Sequence, residues 1–374
     1  MPKLRRALSL IPLLLFLTCL TRGAESLPQQ LSDATFWKLV EDGSEPTQQF
    51  PGENFVSNEP KYAAAIRALK QGVTPGGVYL GVGPEQNFSY IAALRPRMAF
   101  IVDIRRQNML EHLMYKALFE LSDDRADFLS RLFSRKRPDG LGAASTAKAL
   151  MDTYAAAPAD AQAYAENLEA IRKTLTQKHG FRLPSEDIAG IEKIFKVFAA
   201  AGPQTNYQSG GSGSGAPGAA TPSYATLMTA IDADGNGSSY LATEENYRFV
   251  RDLQRSNLIV PMVGDFGGPK AIRSIGNYLK NYDATVRVFY LSNVETYLFA
   301  GSGPGAPTAA ARSLAPNGGW QSFFDNVSTL PLDSASTFIR FQGAAGDAQS
   351  ASIQKNLEGV KNGTIRTVLD LYSR

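Results

Sequence analysis

Hydrophobic positions along this chain fall into two rhythms. Predominantly apolar runs stand at residues 78–80, 98–102, 257–266, 284–292 and 336–341, and short runs bounded by turn residues predict buried strands. Elsewhere apolar residues recur at helical spacing. Leu110, Leu113, Met114, Ala117, Leu118 and Leu121 set one long helix after Asp103. Further helices are expected over 61–71, 145–156, 159–178, 185–200, from Thr243 onward and from Gly268 to Leu279. Phe36, Trp37, Leu39 and Val40 give an opening segment, 27–47, a packed face. Strands alternating with helices predict an α/β fold with a mostly parallel sheet and helices on both faces. Residues 25–75 then form an N-terminal helical lid segment and 76–374 the sheet domain. The helical stretch of about 140–202 is longer than one crossover needs, so it reads as an inserted cap over the strand ends.

The stretch 76–103, GGVYLGVGPEQNFSYIAALRPRMAFIVD, condenses this pattern into strand, glycine turn, helix, strand and acid. Gly81 and Gly83 permit a tight turn, Pro84 suits a helix start, and Asp103 stands where such folds place a carboxylate for ribose hydroxyls. Glu85 in the turn would repel phosphate, which argues against a dinucleotide. On Gly81, Gly83 and Asp103 the stretch resembles motif I of the class I S-adenosylmethionine-dependent methyltransferases. That resemblance implies a Rossmann-like sheet, S-adenosylmethionine as cofactor and a small-molecule adenosyl site. Glu85 replaces the third glycine of the usual motif and Tyr79 the acid before it. A glycine turn that merely packs a helix on a sheet is the alternative. The chain also resembles a family of uncharacterised bacterial proteins that carry YLGVGPEQN and VGDFGGPKAIR blocks, a likeness that supports the fold and implies no activity.

Strand ends in an open parallel sheet share one crevice. That places Asp265, Asn293, Glu295 and Tyr297 beside Gly81, Gly83, Glu85 and Asp103. Asn293 joins the cofactor contacts; Asp265, Glu295 and Tyr297 are the candidate catalytic residues. The resemblance puts Asp265 at the acidic or amide position after the fourth strand. Gln107 and Asn108 begin their helix close to the same crevice. Asn54, Ser57, Asn58 and Glu59, crowded between Pro51 and Pro60, either cap the following helix or form a polar lid over the ligand.

Composition narrows the chemistry further. Lys3, Arg5 and Arg6 before an apolar run to Leu20 read as a signal peptide over residues 1–24, predicting export to the periplasm or outside the cell. Cys19, the single cysteine, lies inside that segment, so lipidation there is an alternative and cysteine catalysis in the mature chain is excluded. No membrane span is expected after cleavage. Two histidines, His112 and His179, argue against a histidine base or metal cluster, and a formal charge of +3 shows no nucleic-acid footprint. Neither a GxSxG elbow nor a Walker loop occurs.

The cluster Arg131, Arg135, Lys136 and Arg137 reads as a helix end. Asp232, Asp234 and Asn236 open like a calcium loop, but its twelfth position is Thr243, which favours a polar turn. Residues 203–222 and 301–319 read as Gly-rich surface loops. Two functions remain: a methyltransferase-like protein, or an exported non-catalytic binding or scaffolding protein. Export conflicts with the first, because S-adenosylmethionine is made in the cytoplasm.

Overall fold

The computed structural model describes residues 26–50, 52–209, 221–299, 319–343 and 346–373. The expected signal segment with Cys19, most of the Gly/Ser-rich loop and nearly all of 301–319 lie outside the described residues.

A six-stranded sheet with the order β3-β2-β1-β4-β5-β6 forms the centre. β1 (Val78–Gly81), β2 (Met98–Asp103), β3 (Ile259–Val263), β4 (Val286–Ser292) and β5 (Thr337–Phe341) are parallel, and β6 (Ala348–Ser352) runs antiparallel to β5. The five parallel strands fall on the five apolar runs. β1, β2 and β3 are buried at every position, as parallel strands covered on both faces require. Pro261 sits inside β3 opposite Ile101, which an edge strand tolerates because its other side has no ladder to lose. β6 was not foreseen: its AQSAS sequence is half-buried and carries no apolar run.

α1 (Asp33–Gly43) and α2 (Tyr62–Gly72) precede the sheet, and α3 (Gln86–Leu94) crosses from β1 to β2. Between β2 and β3 come α4 (Arg106–Leu121), α5 (Arg125–Phe133), α6 (Ala147–Ala156), α7 (Ala161–Lys173), α8 (Ser185–Ala201), α9 (Tyr224–Met228) and α10 (Glu244–Arg255). α11 (Ala271–Leu279) links β3 to β4, α12 (Val294–Leu298) and α13 (Gly319–Val327) lead to β5, and α14 (Ile353–Lys361) and α15 (Val368–Tyr372) follow β6. α3, α4 and α10 pack together as one layer, while α1 and α13 both pack on α11. The whole is the Rossmann-like α/β fold.

The inserted helices do not cap the strand ends. α8 buries Ile191, Ile194, Phe195 and Phe198 and packs on α4 and α5, with α6 on α5, so the insertion stacks on the flank of the sheet. α7 continues into a π turn, Thr174–Lys178, that delivers His179 between two carboxylates. Its Nδ1 lies 2.7 Å from Asp33 and its Nε2 2.8 Å from Glu120, tying α1 to α4. Burial alone would raise the Glu120 carboxyl, but hydrogen bonds from His179 and Lys116 outweigh it and hold the group at about 2. The basic cluster is consumed by structure: Arg131 pairs with Asp127 and Arg137 with Asp124, and buried Arg135 donates to the Tyr154 carbonyl. The 232–237 segment closes on itself, Asp232 accepting the N–H groups of Asp234 and Asn236 at 2.9 Å.

Candidate functional site: a cleft at the strand ends

The chain runs outward from β1 to β2 to β3 and then returns to the other side of β1, so the strand order reverses between β1 and β4. At the carboxyl ends of these four strands lies a cleft, open to solvent, with a cavity volume of about 100 Å³. β1 contributes Val82, Gly83 and Pro84; β2 Asp103, Ile104 and Arg105; β3 Gly264, Asp265 and Phe266; β4 and α12 Tyr290, Ser292, Asn293 and Tyr297. The segment before α2 adds Phe50, Asn54, Ser57 and Asn58. This segment is therefore a wall of the cleft. It does not cap α2, whose N-cap is Lys61 without a side-chain bond.

The two glycines of the turn serve different ends. Gly83 has φ +79°, and a Cβ there would meet nothing within 4 Å, so its backbone faces the open cleft. Gly81 is not on the cleft: a Cβ would overlap Asn87 Oδ1 and come within 2.8 Å of the Tyr79 ring. Asn87 occupies that space to donate to the carbonyls of Val82, Gly83 and Pro84 at 2.9, 3.0 and 2.8 Å. His112 Nε2 donates to the Gly83 carbonyl at 2.9 Å, and burial pushes this imidazole down to about 4, so it stays neutral.

Glu85 is displaced from its expected place. Its carboxyl is fully buried away from the cleft and accepts the Ser57 N–H at 3.2 Å, and burial pushes it up to about 8. The turn at Pro84 aims the side chain at the lid segment rather than at a ligand. Nearby Glu111 is buried with no hydrogen-bond partner on either oxygen, and burial together with the neighbouring Glu85 raises it well above the usual carboxylate range.

Asp103 stands across from Gly83, at the end of β2, as expected. Its carboxylate accepts from the Arg105 backbone N–H at 2.9 Å and from Nε and Nη2 of the Arg105 guanidinium at 3.1 Å each. The third arm of Arg105, Nη1, donates to the Glu53 carbonyl at 2.5 Å, and the guanidinium lies 5.6 Å from the Phe50 ring centre. Gln107 reaches the same carbonyl at 2.8 Å. The acid at the strand end thus also anchors the lid.

Asp265, Asn293 and Tyr297 join this cleft; Glu295 does not. Asp265 follows the third strand, not the fourth, and the polar residue after the fourth strand is Asn293. Asp265 accepts the Gly267 N–H at 2.8 Å and Gln48 Nε2 at 3.4 Å. Tyr297 packs edge-on against Phe50 at 5.6 Å, and burial raises its phenol. Glu295 is 1% exposed and ion-paired to the fully buried Arg340 at 2.7 Å, because α12 turns it inward toward β5. It serves the core.

One acid was underread. Glu59, 1% exposed, accepts from Tyr290 at 2.6 Å, Gln86 at 2.9 Å and Ser292 at 2.5 Å, directly behind the β4 wall. Burial pushes it up to about 7, against the pull of those three donors. Ser292 itself holds φ +52° where the ladder to β5 slips, a strained position of the kind found at binding sites. The only sequence signal was the polar crowding between two prolines.

This is an α/β protein with a strand-end cleft. Residues 54–359 match the model of the family described as Domain of unknown function (DUF7790), and the chain belongs to that family. No curated protein matches it significantly. Among the described residues no group of three or more His, Cys, Asp and Glu could hold a metal ion, and no helix is long and apolar enough to cross a membrane.

Proposed function

We propose that the cleft binds an adenosyl ligand of the S-adenosylmethionine type, in a methyltransferase-like arrangement. The observation that carries this is the open Gly83 backbone facing Asp103 across one cleft. The charged groups on its wall suit such a ligand: Asp103 and Arg105 neutralise each other as an ion pair, and Asp265 leaves the wall net negative. A phosphate would meet repulsion there, whereas a sulfonium would not. Asp103 would accept ribose hydroxyls, Ile104 and Phe266 offer apolar surface to the base, and the turn at Gly83 admits the methionine end. Bound there, the cofactor would supply an electrophilic methyl group. The protein's part is then to hold the acceptor in line and exclude water. Binding without turnover is favoured by one specific observation: Glu295, a candidate catalytic acid, is locked to Arg340.

Calorimetric titration of the whole protein with S-adenosylmethionine and S-adenosylhomocysteine tests the proposal. Both are expected to bind, and Asp103→Asn to weaken both about tenfold, the cost of roughly one hydrogen bond to a charged group. Absence of heat with either compound would sink it.

A further inference from the structure

Strand order fixes which end of the cleft meets which part of an adenosyl ligand. With ribose at Asp103 on β2, β3 lies on one side, and β1 and β4 on the other, where the methionine end and its sulfonium enter past Gly83. On that side stands the polar wall built on Glu59. Ser292 and Tyr290 both line the cleft, and both hydroxyls donate their protons to Glu59. Tyr290 Oη also accepts from Gln86 Nε2 at 3.3 Å, so the half-buried Ser292 hydroxyl is the one whose lone pairs remain for a ligand, with a carboxylate behind it.

We infer that Glu59, acting through Ser292, is a specificity-determining residue that selects a positively charged ligand centre, a sulfonium, over the neutral thioether of the same skeleton. The inference rests on the adenosyl reading above. The arrangement is directional because an ionised carboxylate can only accept, so it holds the Ser292 hydroxyl in the orientation a cation prefers. Once Glu59 is protonated, that hydroxyl can reverse and the selective field collapses.

The groups facing Glu59 are Tyr79 on β1, Gln86 and Tyr90 on α3, Tyr290 and Ser292 on β4, and Tyr372 on α15. Burial raises all four phenols above the usual tyrosine range, so they stay neutral near pH 7. Lys61, two residues on, is paired with Asp347. Burial places Glu59 itself at about 7. Two further carboxyls are raised by burial toward neutrality, Glu85, turned toward Ser57, and Glu295, paired with Arg340; Glu85→Gln serves as the control for the first, and the Glu59→Gln variant separates Glu59 from both.

The experiment measures the affinity ratio of S-adenosylmethionine to S-adenosylhomocysteine from pH 6 to pH 8, for the wild-type protein, Glu59→Gln and Glu85→Gln. A cation that stabilises the Glu59 carboxylate binds with release of its proton, so the preference for S-adenosylmethionine should fall up to about tenfold from pH 8 to pH 6. Glu85→Gln should keep that dependence and Glu59→Gln should abolish it. A ratio that is flat with pH in the wild type, or that retains its slope in Glu59→Gln, overturns the inference while leaving the adenosyl site intact. Failure of both compounds to bind at every pH removes the adenosyl site itself and this inference with it.

Discussion

Gly81 and Gly83 are indistinguishable in the sequence and opposite in the structure. Gly81 is excluded from carrying a side chain by Asn87 and Tyr79, whereas Gly83 has empty space but a left-handed backbone. Gly81→Ala should therefore lower stability by about 3 kcal/mol through overpacking, and Gly83→Ala by about 1 kcal/mol through backbone strain. Denaturant titrations of the two variants check this; equal losses would mean that Asn87 can move aside at little cost. The same limit explains which site residues were legible. Asp103 could be read because an acid ending an apolar strand has few other places to point. Glu85 and Glu295 could not, since both follow a strand end within a turn or short helix whose rotation decides between cleft and core. Glu59 was visible as a polar residue, yet its partners Tyr290 and Ser292 come from a strand more than two hundred residues away.

Elements were more legible than their fastenings. Apolar runs located the five parallel strands because burial on both faces removes alternation, and β6 escaped because a half-buried edge strand needs no such run. No sequence pattern announces how α11 begins. Its N-terminus is capped by Glu45, from the loop after α1, whose Oε1 accepts the N–H groups of Lys270 and Ala271 at 2.8 Å each while Oε2 takes that of Asp265 at 3.2 Å. One carboxylate thereby fixes both the helix start and the turn that carries Asp265 into the cleft. Glu45→Ala is expected to cost about 1–2 kcal/mol, the range of a lost cap, and Glu45→Gln about half of that. Thermal unfolding of both variants reads the difference. An unchanged midpoint in Glu45→Ala would show that water replaces the cap without loss, and that α11 is held by its packing alone.

Across the whole molecule, the polar groups gathered behind the cleft set how stability depends on pH. Burial raises Glu59 to about 7, Glu85 to about 8 and Glu111 well above its usual range, so the folded protein keeps protons that the unfolded chain releases near 4.5. As pH rises from about 4.5 toward 8 the native state binds more protons than the unfolded one, and stability falls. His112 acts in the other direction. Held neutral down to about 4, it lets the unfolded chain take up a proton below the ordinary 6.5, so its contribution is lost as pH falls through that interval. Glu120, held at about 2, loses its contribution only as pH falls below 4.5. Between 4.5 and 6.5, then, four raised carboxyls, with Glu295 pushed up by burial to about 7 as the fourth, oppose one lowered imidazole, and the carboxyls prevail. The unfolding temperature should peak near pH 5 and decline steadily toward pH 8, and Glu85→Gln should flatten part of that decline by removing one titrating group. Calorimetric scans across pH 4 to 8.5 measure it. A maximum at pH 7 or above would mean that these carboxyls are ionised in the folded protein, with counter-charges or water reaching the interior behind the glycine turn.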